Sequence, residues 1–349
     1  MTDVYQEAQR QLTICNACRY CEGFCAVWDA IEYRSVLDLK DMPYLANLCH
    51  DCRDCYYVCP FNEPDHEYAL NIPKILGKAR LKSYKDAVWP AFMSVMLDRP
   101  AIFALSVTLI ALIGSIGYPI FILHAYPLGA VSLISLIPEA TFRYITLGVY
   151  LYTAILWTVS GLKFAANSRS EVISGWLGAL NGAAAAFSQR FFFGGGVGCK
   201  YPSENSRFSR AIFHASVLYG FITALISIAF YPNITGLSLT IYATASLLMT
   251  FGSLGLLLWD ITDSGTQRSP EMRRLDVPFT VLIFLSGLTG VAFILLSGSY
   301  FYGLLFLIHD ALILAVFAIA PYSKFLHPLY RVISLAKFYA ERKLYSQLH

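Results

Sequence analysis

The chain has 349 residues and a formal net charge of +3, and it is 56% hydrophobic but only 14% charged. A soluble domain carries about 25% charged residues, so the composition excludes an ordinary soluble globule. The net charge is too small to argue for a nucleic-acid partner.

The shortfall in charge is uneven. Residues 1–98 read as soluble protein, and from Ala101 onward the chain is a series of long apolar runs. Met1 to Leu12 is polar and acidic, without the apolar core of a secretory signal, so the head is expected to stay in the cytoplasm. Eight of the nine cysteines follow, between Cys15 and Cys59. They form two runs, Cys15-x2-Cys18-x2-Cys21-x3-Cys25 and Cys49-x2-Cys52-x2-Cys55-x3-Cys59-Pro60. In a reducing compartment such density points to metal, not disulfides. Each run has the ferredoxin spacing for a [4Fe–4S] cluster: three thiolates curl round one face of the cubane, and the fourth ligates the other cluster. Cluster one is therefore expected to take Cys15, Cys18, Cys21 and Cys59, and cluster two Cys49, Cys52, Cys55 and Cys25. A structural zinc site needs two separated pairs of ligands, not four cysteines within one short run, twice. Pro60 follows the second run but Ala26 the first, so the halves are not equivalent.

The linker 27–48 is charged and longer than a minimal ferredoxin needs, which predicts a helical excursion. Residues 71–85 read as a basic helix leading to the membrane. Lys74, Lys78, Arg80, Lys82 and Lys85 would lie near the bilayer surface, facing anionic headgroups or an acidic partner. Six runs then reach the length of about 20 apolar residues that a span needs: 101–123, 143–163, 211–231, 237–259, 277–297 and 301–321. Residues 175–193, rich in Gly and Ala, read as an interfacial helix. Lys and Arg crowd the loops 164–210 and 260–276 and the stretch from 322, and the alternate loops have none between the spans. That asymmetry places both termini in the cytoplasm of a multi-pass inner-membrane protein. Asp260 and Asp263, at the inner end of the fourth span, read as solvated loop carboxylates or proton donors.

Histidines in an apolar domain are functional candidates. His214, His309 and His327 have the chemistry of axial ligands to haem b. His309 and His327 are about 27 Å apart along a helix, so they cannot share one haem. His214 pairs best with His327, since both lie towards the iron–sulfur head. His309 then belongs to a second haem, a quinone site or a helix–helix hydrogen bond. His124 and His349 read as interfacial anchors, and Cys199, in a glycine-rich run, as an incidental thiol.

In order along the chain, several features resemble the tricarballylate (citrate) utilisation protein B family. They are the two cysteine runs, Gly198-Cys199-Lys200-Tyr201-Pro202, His214 after Arg207 and Arg210, and Pro321-Tyr322-x-Lys324-Phe325-x-His327. The resemblance covers nearly the whole chain. It implies a cytoplasmic partner, an FAD-dependent tricarballylate dehydrogenase, whose flavin the B protein reoxidises, sending electrons through clusters and haem b to the quinone pool. A more distant likeness is to the haem b subunit of respiratory nitrate reductase. There the last helix carries two histidines at the separation of His309 and His327, and an earlier helix carries a second ligand ten residues after the first. Here that position is Ala224, a departure that favours one haem on His214 and His327.

The expected fold is an α-helical membrane protein in three parts. Residues 1–98 form a two-cluster ferredoxin-like domain, α-helical or α+β, 99–327 a six-helix transmembrane bundle, and 328–349 a basic cytoplasmic tail. No nucleophile–base constellation or dinucleotide fingerprint is present in the sequence, so substrate oxidation is expected to reside in the partner. Two other readings stand beside this one: a quinol-oxidising module that feeds a cytoplasmic reductase, and a membrane redox sensor.

Overall fold

The computed structural model describes residues 3–64, 66–122, 139–168, 176–192, 200, 205, 208–229, 236–263 and 265–348. His124, Cys199, Arg207 and His349 lie outside them.

The head opens with α1 (Val4–Cys18), started by a capping box in which Asp3 accepts from the backbone of the first turn and Gln6 reaches back. It ends where Arg19 turns left-handed, which releases the chain into the first cysteine loop. The linker is helical as expected: α2 (Ala26–Glu32), a 3-10 turn (Leu39–Asp41) and α3 (Met42–Leu48). After the second cysteine run come the single turn α4 (Asp54–Tyr57) and the long α5 (Ile72–Ala87), N-capped by Asn71. Among the described residues there is no strand, only an isolated bridge between Asn62 and Leu70. The domain is thus helical, not α+β. Leu12, Trp28, Ile31, Leu45, Leu48 and Leu76 pack its core.

Among the described residues, six helices are long and apolar enough to cross a membrane. They are α6 (Pro100–Gly117, prolonged by a π turn over Tyr118–Ile122), α7 (Glu139–Asn167), α9 (Ser209–Ala229), α10 (Gly236–Thr262), α11 (Pro270–Leu295) and α12 (Tyr302–Ile319). Their outward faces present Ile110, Ile113, Leu151, Ile155, Leu237 and Leu295, the surface that hydrocarbon tolerates and water does not. Between the second and third spans lies α8 (Trp176–Phe187), where the interfacial helix was expected. It packs on α13 (Leu326–Leu348), and the contact is so close that a Cβ on Gly182 would meet the backbone of Ala336.

The last helix, α13, binds head to bundle. Glu341 accepts a bidentate hydrogen bond from Arg34 (2.7 and 3.1 Å) and another from the Tyr44 hydroxyl (2.9 Å). The Lys337 ammonium donates to the carbonyls of Ala165 (2.7 Å) and Ser168 (2.6 Å), satisfying the C-terminus of α7. A second clamp comes from the fourth span. Arg53, fully buried, makes a bidentate pair with Asp263 at 2.8 and 2.9 Å, and Asp260 pairs with Arg268 and Arg273. These carboxylates are therefore structural, not solvated.

The cations of α5 also differ from the expectation. Arg80 is buried and donates to the carbonyls of Ala46 and Cys49. Lys74, Lys78, Lys82 and Lys85 pair with Glu63, Glu271, Asp86 and Asp98. Of the five cations, Arg80 alone is buried, and the lysines stay partly exposed in surface ion pairs.

Candidate functional site

Three cavities lie in a row from the head to the bundle. The first is ringed by Cys15, Cys18, Cys21, Cys55 and Cys59. The second is ringed by Cys25, Cys49, Cys52 and Cys55. Trp28, Cys55 and Ile72 line both. The third, of about 300 Å³, is lined by His50, His214 and His327 together with Arg80, Arg210, Lys324 and Arg331. His50 and Pro73 line both the second and the third.

Backbone conformation builds the cysteine rings. Arg19, Asp51 and Arg53 are left-handed, which bends each run back on itself. The amides of Asp51 and Phe61 point at the sulfurs of Cys49 and Cys59, both at 3.4 Å, the donors that tune an iron–sulfur centre. The described cysteines are all free thiols. Among the described residues no three His, Cys, Asp or Glu side chains converge on a point the size of one metal ion; the cysteines surround space instead. Burial pushes the thiols of Cys21 and Cys25 up to about 12, and those of Cys52 and Cys55 well above the ordinary value. Such thiols stay protonated until a bound cation displaces the proton to solvent, so metal binding here releases protons. The arrangement of two linked rings fits two multi-iron clusters, with Cys25 and Cys59 each crossing to the other run's ring.

The three imidazoles and the Arg80 guanidinium of the third cavity come from four segments. His214 lies in the second turn of α9, His327 at the start of α13, Arg80 on α5 and His50 next to Cys49. The Nδ1 atoms of His214 and His327 are buried without a hydrogen-bond partner among the described residues, a rare state for a buried polar group. Burial, with the charges of Arg331 and Lys324, holds His327 well below the ordinary histidine value, so its imidazole is neutral, as metal ligation requires. Around it, Arg331 donates to the Cys49 carbonyl at 2.5 Å, alongside Arg80. Arg210 donates to the Asp51 carbonyl at 2.6 Å, and Lys324 pairs with Asp276 at 2.7 Å. Aromatic rings form the apolar walls: Phe192 is 5.2 Å from His214, and Phe325 is 5.2 Å from Phe221 and 5.9 Å from Phe279. Two imidazoles, flat apolar walls and a cationic end fit a haem, whose edge carries carboxylates.

His309 lies apart. Its Nε2 meets the Tyr242 hydroxyl, and its Nδ1 is 3.0 Å from Thr289 Oγ1. Both ring nitrogens are engaged, and the residue ties α10, α11 and α12 together. Of the three roles the sequence left open, this geometry is the helix–helix hydrogen bond.

His50 was passed over in the sequence as a spacer within a cysteine run; its place beside Cys49 was the only signal. Arg331, read as part of a basic tail, and Arg80 were missed because charge alone does not distinguish a lipid-facing cation from a buried one.

The position of His214 depends on close helix approach. A Cβ on Gly252 would come within 2.5 Å of the Phe213 carbonyl, and one on Gly255 would strike the Phe213 ring. Small residues let membrane helices pack at this distance. Gly252→Leu is therefore expected to push α9 from α10 and displace His214. In the purified variant, bound haem should fall to a small fraction of the parent, with non-haem iron unchanged.

Residues 8–86 match the family model described as citrate utilization protein B Fer4-like domain, and residues 211–346 match that of citrate utilization protein B. Citrate utilization protein B of Escherichia coli is 29% identical over 98% of this chain and 94% of its own length. No solved structure matches the chain.

Proposed function

Because the chain belongs to the citrate utilization protein B family, we propose that it is a membrane electron-transfer protein. It takes electrons from the reduced FAD of a cytoplasmic partner, a tricarballylate dehydrogenase-like flavoprotein, and delivers them to the quinone pool. The observation that carries this reading is the row of adjoining cavities, two lined by cysteines and one by histidines. Two [4Fe–4S] clusters and one haem b in those cavities supply the one-electron carriers that a two-electron flavin needs to be emptied into a lipid-soluble acceptor.

The residues divide the work. Cys15, Cys18, Cys21 and Cys59 hold the outer cluster, and Cys25, Cys49, Cys52 and Cys55 the inner one. Cys18 is the exposed cysteine, so the partner docks on its side of the head. Cys55 lines both rings and keeps them adjacent. His214 and His327 would hold the haem iron through their ring nitrogens, and Arg80, Arg210, Lys324 and Arg331 would offset the carboxylate charge of the porphyrin edge. The head and both termini lie on the cytoplasmic side of the inner membrane, since the basic loops are all on that side.

The test is reconstitution in liposomes containing a quinone, with the partner flavoprotein and its substrate outside. Substrate-dependent quinone reduction is expected only when this protein is present. Equal quinone reduction by the flavoprotein alone would overturn the reading.

A further inference from the structure

We propose that His50, carried by the soluble head, donates a hydrogen bond to the carboxylate edge of the haem and so fixes that haem against the inner cysteine ring. The proposal rests on the haem reading above. Among the described residues, only His50 and Pro73 line both the inner cysteine cavity and the histidine cavity, and proline has no side-chain polar atom. His50 is also bonded through the main chain to Cys49, a member of the inner ring. The wall between the two cavities is therefore, in its polar part, this one imidazole.

Its position within the histidine cavity decides its role. Arg331 and Arg80 both donate to the carbonyl of Cys49, and Arg210 donates to the carbonyl of Asp51, the residues on either side. His50 thus stands at the cationic end of the cavity, where a carboxylate edge would be drawn. The same three guanidinium groups pin the backbone of its neighbours, and Asp51 adds a left-handed turn with φ of 55°, so the backbone that carries the ring is held in place. Phe191 and Phe192 confine it at 6.1 and 6.4 Å, and Phe192 in turn lies 5.2 Å from His214. The Nδ1 atom of His50 is buried without a hydrogen-bond partner among the described residues. A neutral imidazole has one N–H to give. The Leu48 carbonyl beside the ring is one acceptor for it, and with His214 and His327 holding the iron, a haem carboxylate drawn to the cationic end would be the other.

The consequence is a coupling between head and bundle. The hydrogen bond would withdraw charge from the carboxylate and favour the reduced haem, and it would hold the porphyrin edge at the wall of the inner ring. His50 is thus a positioning residue, and it acts on potential and on distance.

The test compares His50→Ala, His50→Phe and His50→Gln in the full-length protein. The phenylalanine variant keeps the bulk of the ring, and the glutamine variant keeps a donor. Haem content by pyridine haemochrome, haem midpoint potential and the electron-paramagnetic-resonance signals of the reduced clusters are read on each. The expected result is unchanged haem content and cluster signals in all three, a lowered haem potential in the alanine and phenylalanine variants, and a potential restored towards the parent in the glutamine variant. Haem retained with the same potential in the phenylalanine and alanine variants would overturn the proposal. Loss of haem from all three would also overturn it, since His50 would then be an axial ligand. Lack of haem in the parent protein would instead overturn the haem reading itself, an outcome distinct from both.

Discussion

Replacing either His214 or His327 with alanine should abolish the haem b spectrum, while His309→Ala should leave it in place. The two first residues face one cavity from separate helices, and each has a buried nitrogen without a partner. Removing one imidazole leaves a single axial ligand on a cofactor whose affinity depends on two, and a loss of 10-fold or more in retained haem is expected. Non-haem iron should be unaffected, because the cysteine rings are built by the head's own turns. His309 serves a different purpose: its removal takes one partner each from the hydroxyls of Tyr242 and Thr289, while Thr289 keeps its bond to the Leu285 carbonyl, a cost of about 0.5–1.5 kcal/mol per bond in stability. Haem content per chain separates the cases. If His309→Ala halved the haem, a second haem would have to sit in the outer half of the bundle.

The second large effect concerns the clamp between head and membrane. Asp263→Ala should lower stability by about 3–5 kcal/mol, the usual result of removing one partner of a buried ion pair. Arg53 is fully buried, and its two bonds to Asp263 are 2.8 and 2.9 Å; Asp51, at 3.7 Å from the guanidinium, is a poorer partner. The carboxylate of Asp263 is buried too, yet the hydrogen bonds and charge of Arg53 hold it below the ordinary range. Arg53 stands between Cys52 and Asp54, inside the second cysteine run. The destabilisation should therefore appear first as bleaching of the iron–sulfur absorption on heating, several degrees below the parent. The double variant Arg53→Met with Asp263→Leu should recover most of the loss, because an apolar pair avoids the unpaired charge. Equal bleaching temperatures for parent and Asp263→Ala would show that the clamp does not support the cluster site.

Much of this architecture was legible in the sequence where chemistry fixes spacing. The cysteine runs pointed to two rings because thiolates at that interval can surround one cavity. The structure gathers the residues accordingly, with Cys25 beside the second run and Cys59 beside the first. The spans were legible because lipid demands a length, but their ends were not. The fifth was read from residue 277, whereas α11 begins at Pro270, capped by Ser269. Hydropathy sees the part of a helix that lipid covers and misses its polar first turns. The buried cations were illegible for a related reason. Arg80, Arg331 and Lys337 look in sequence like surface charges, and only the tertiary fold shows carbonyls of Cys49, Ala165 and Ser168 turned towards them. His50 was hidden because its neighbour's role as a ligand absorbed the signal, and nothing local marks a residue that faces two cavities.

The most direct test of the central claim is reduced-minus-oxidised visible spectroscopy with a pyridine haemochrome assay on the purified protein, normalised to iron and acid-labile sulfide. The account predicts a b-type haem at one per chain together with about eight non-haem irons. A full iron–sulfur complement with no haem would contradict it, and would leave the cavity between His214 and His327 to some other ligand.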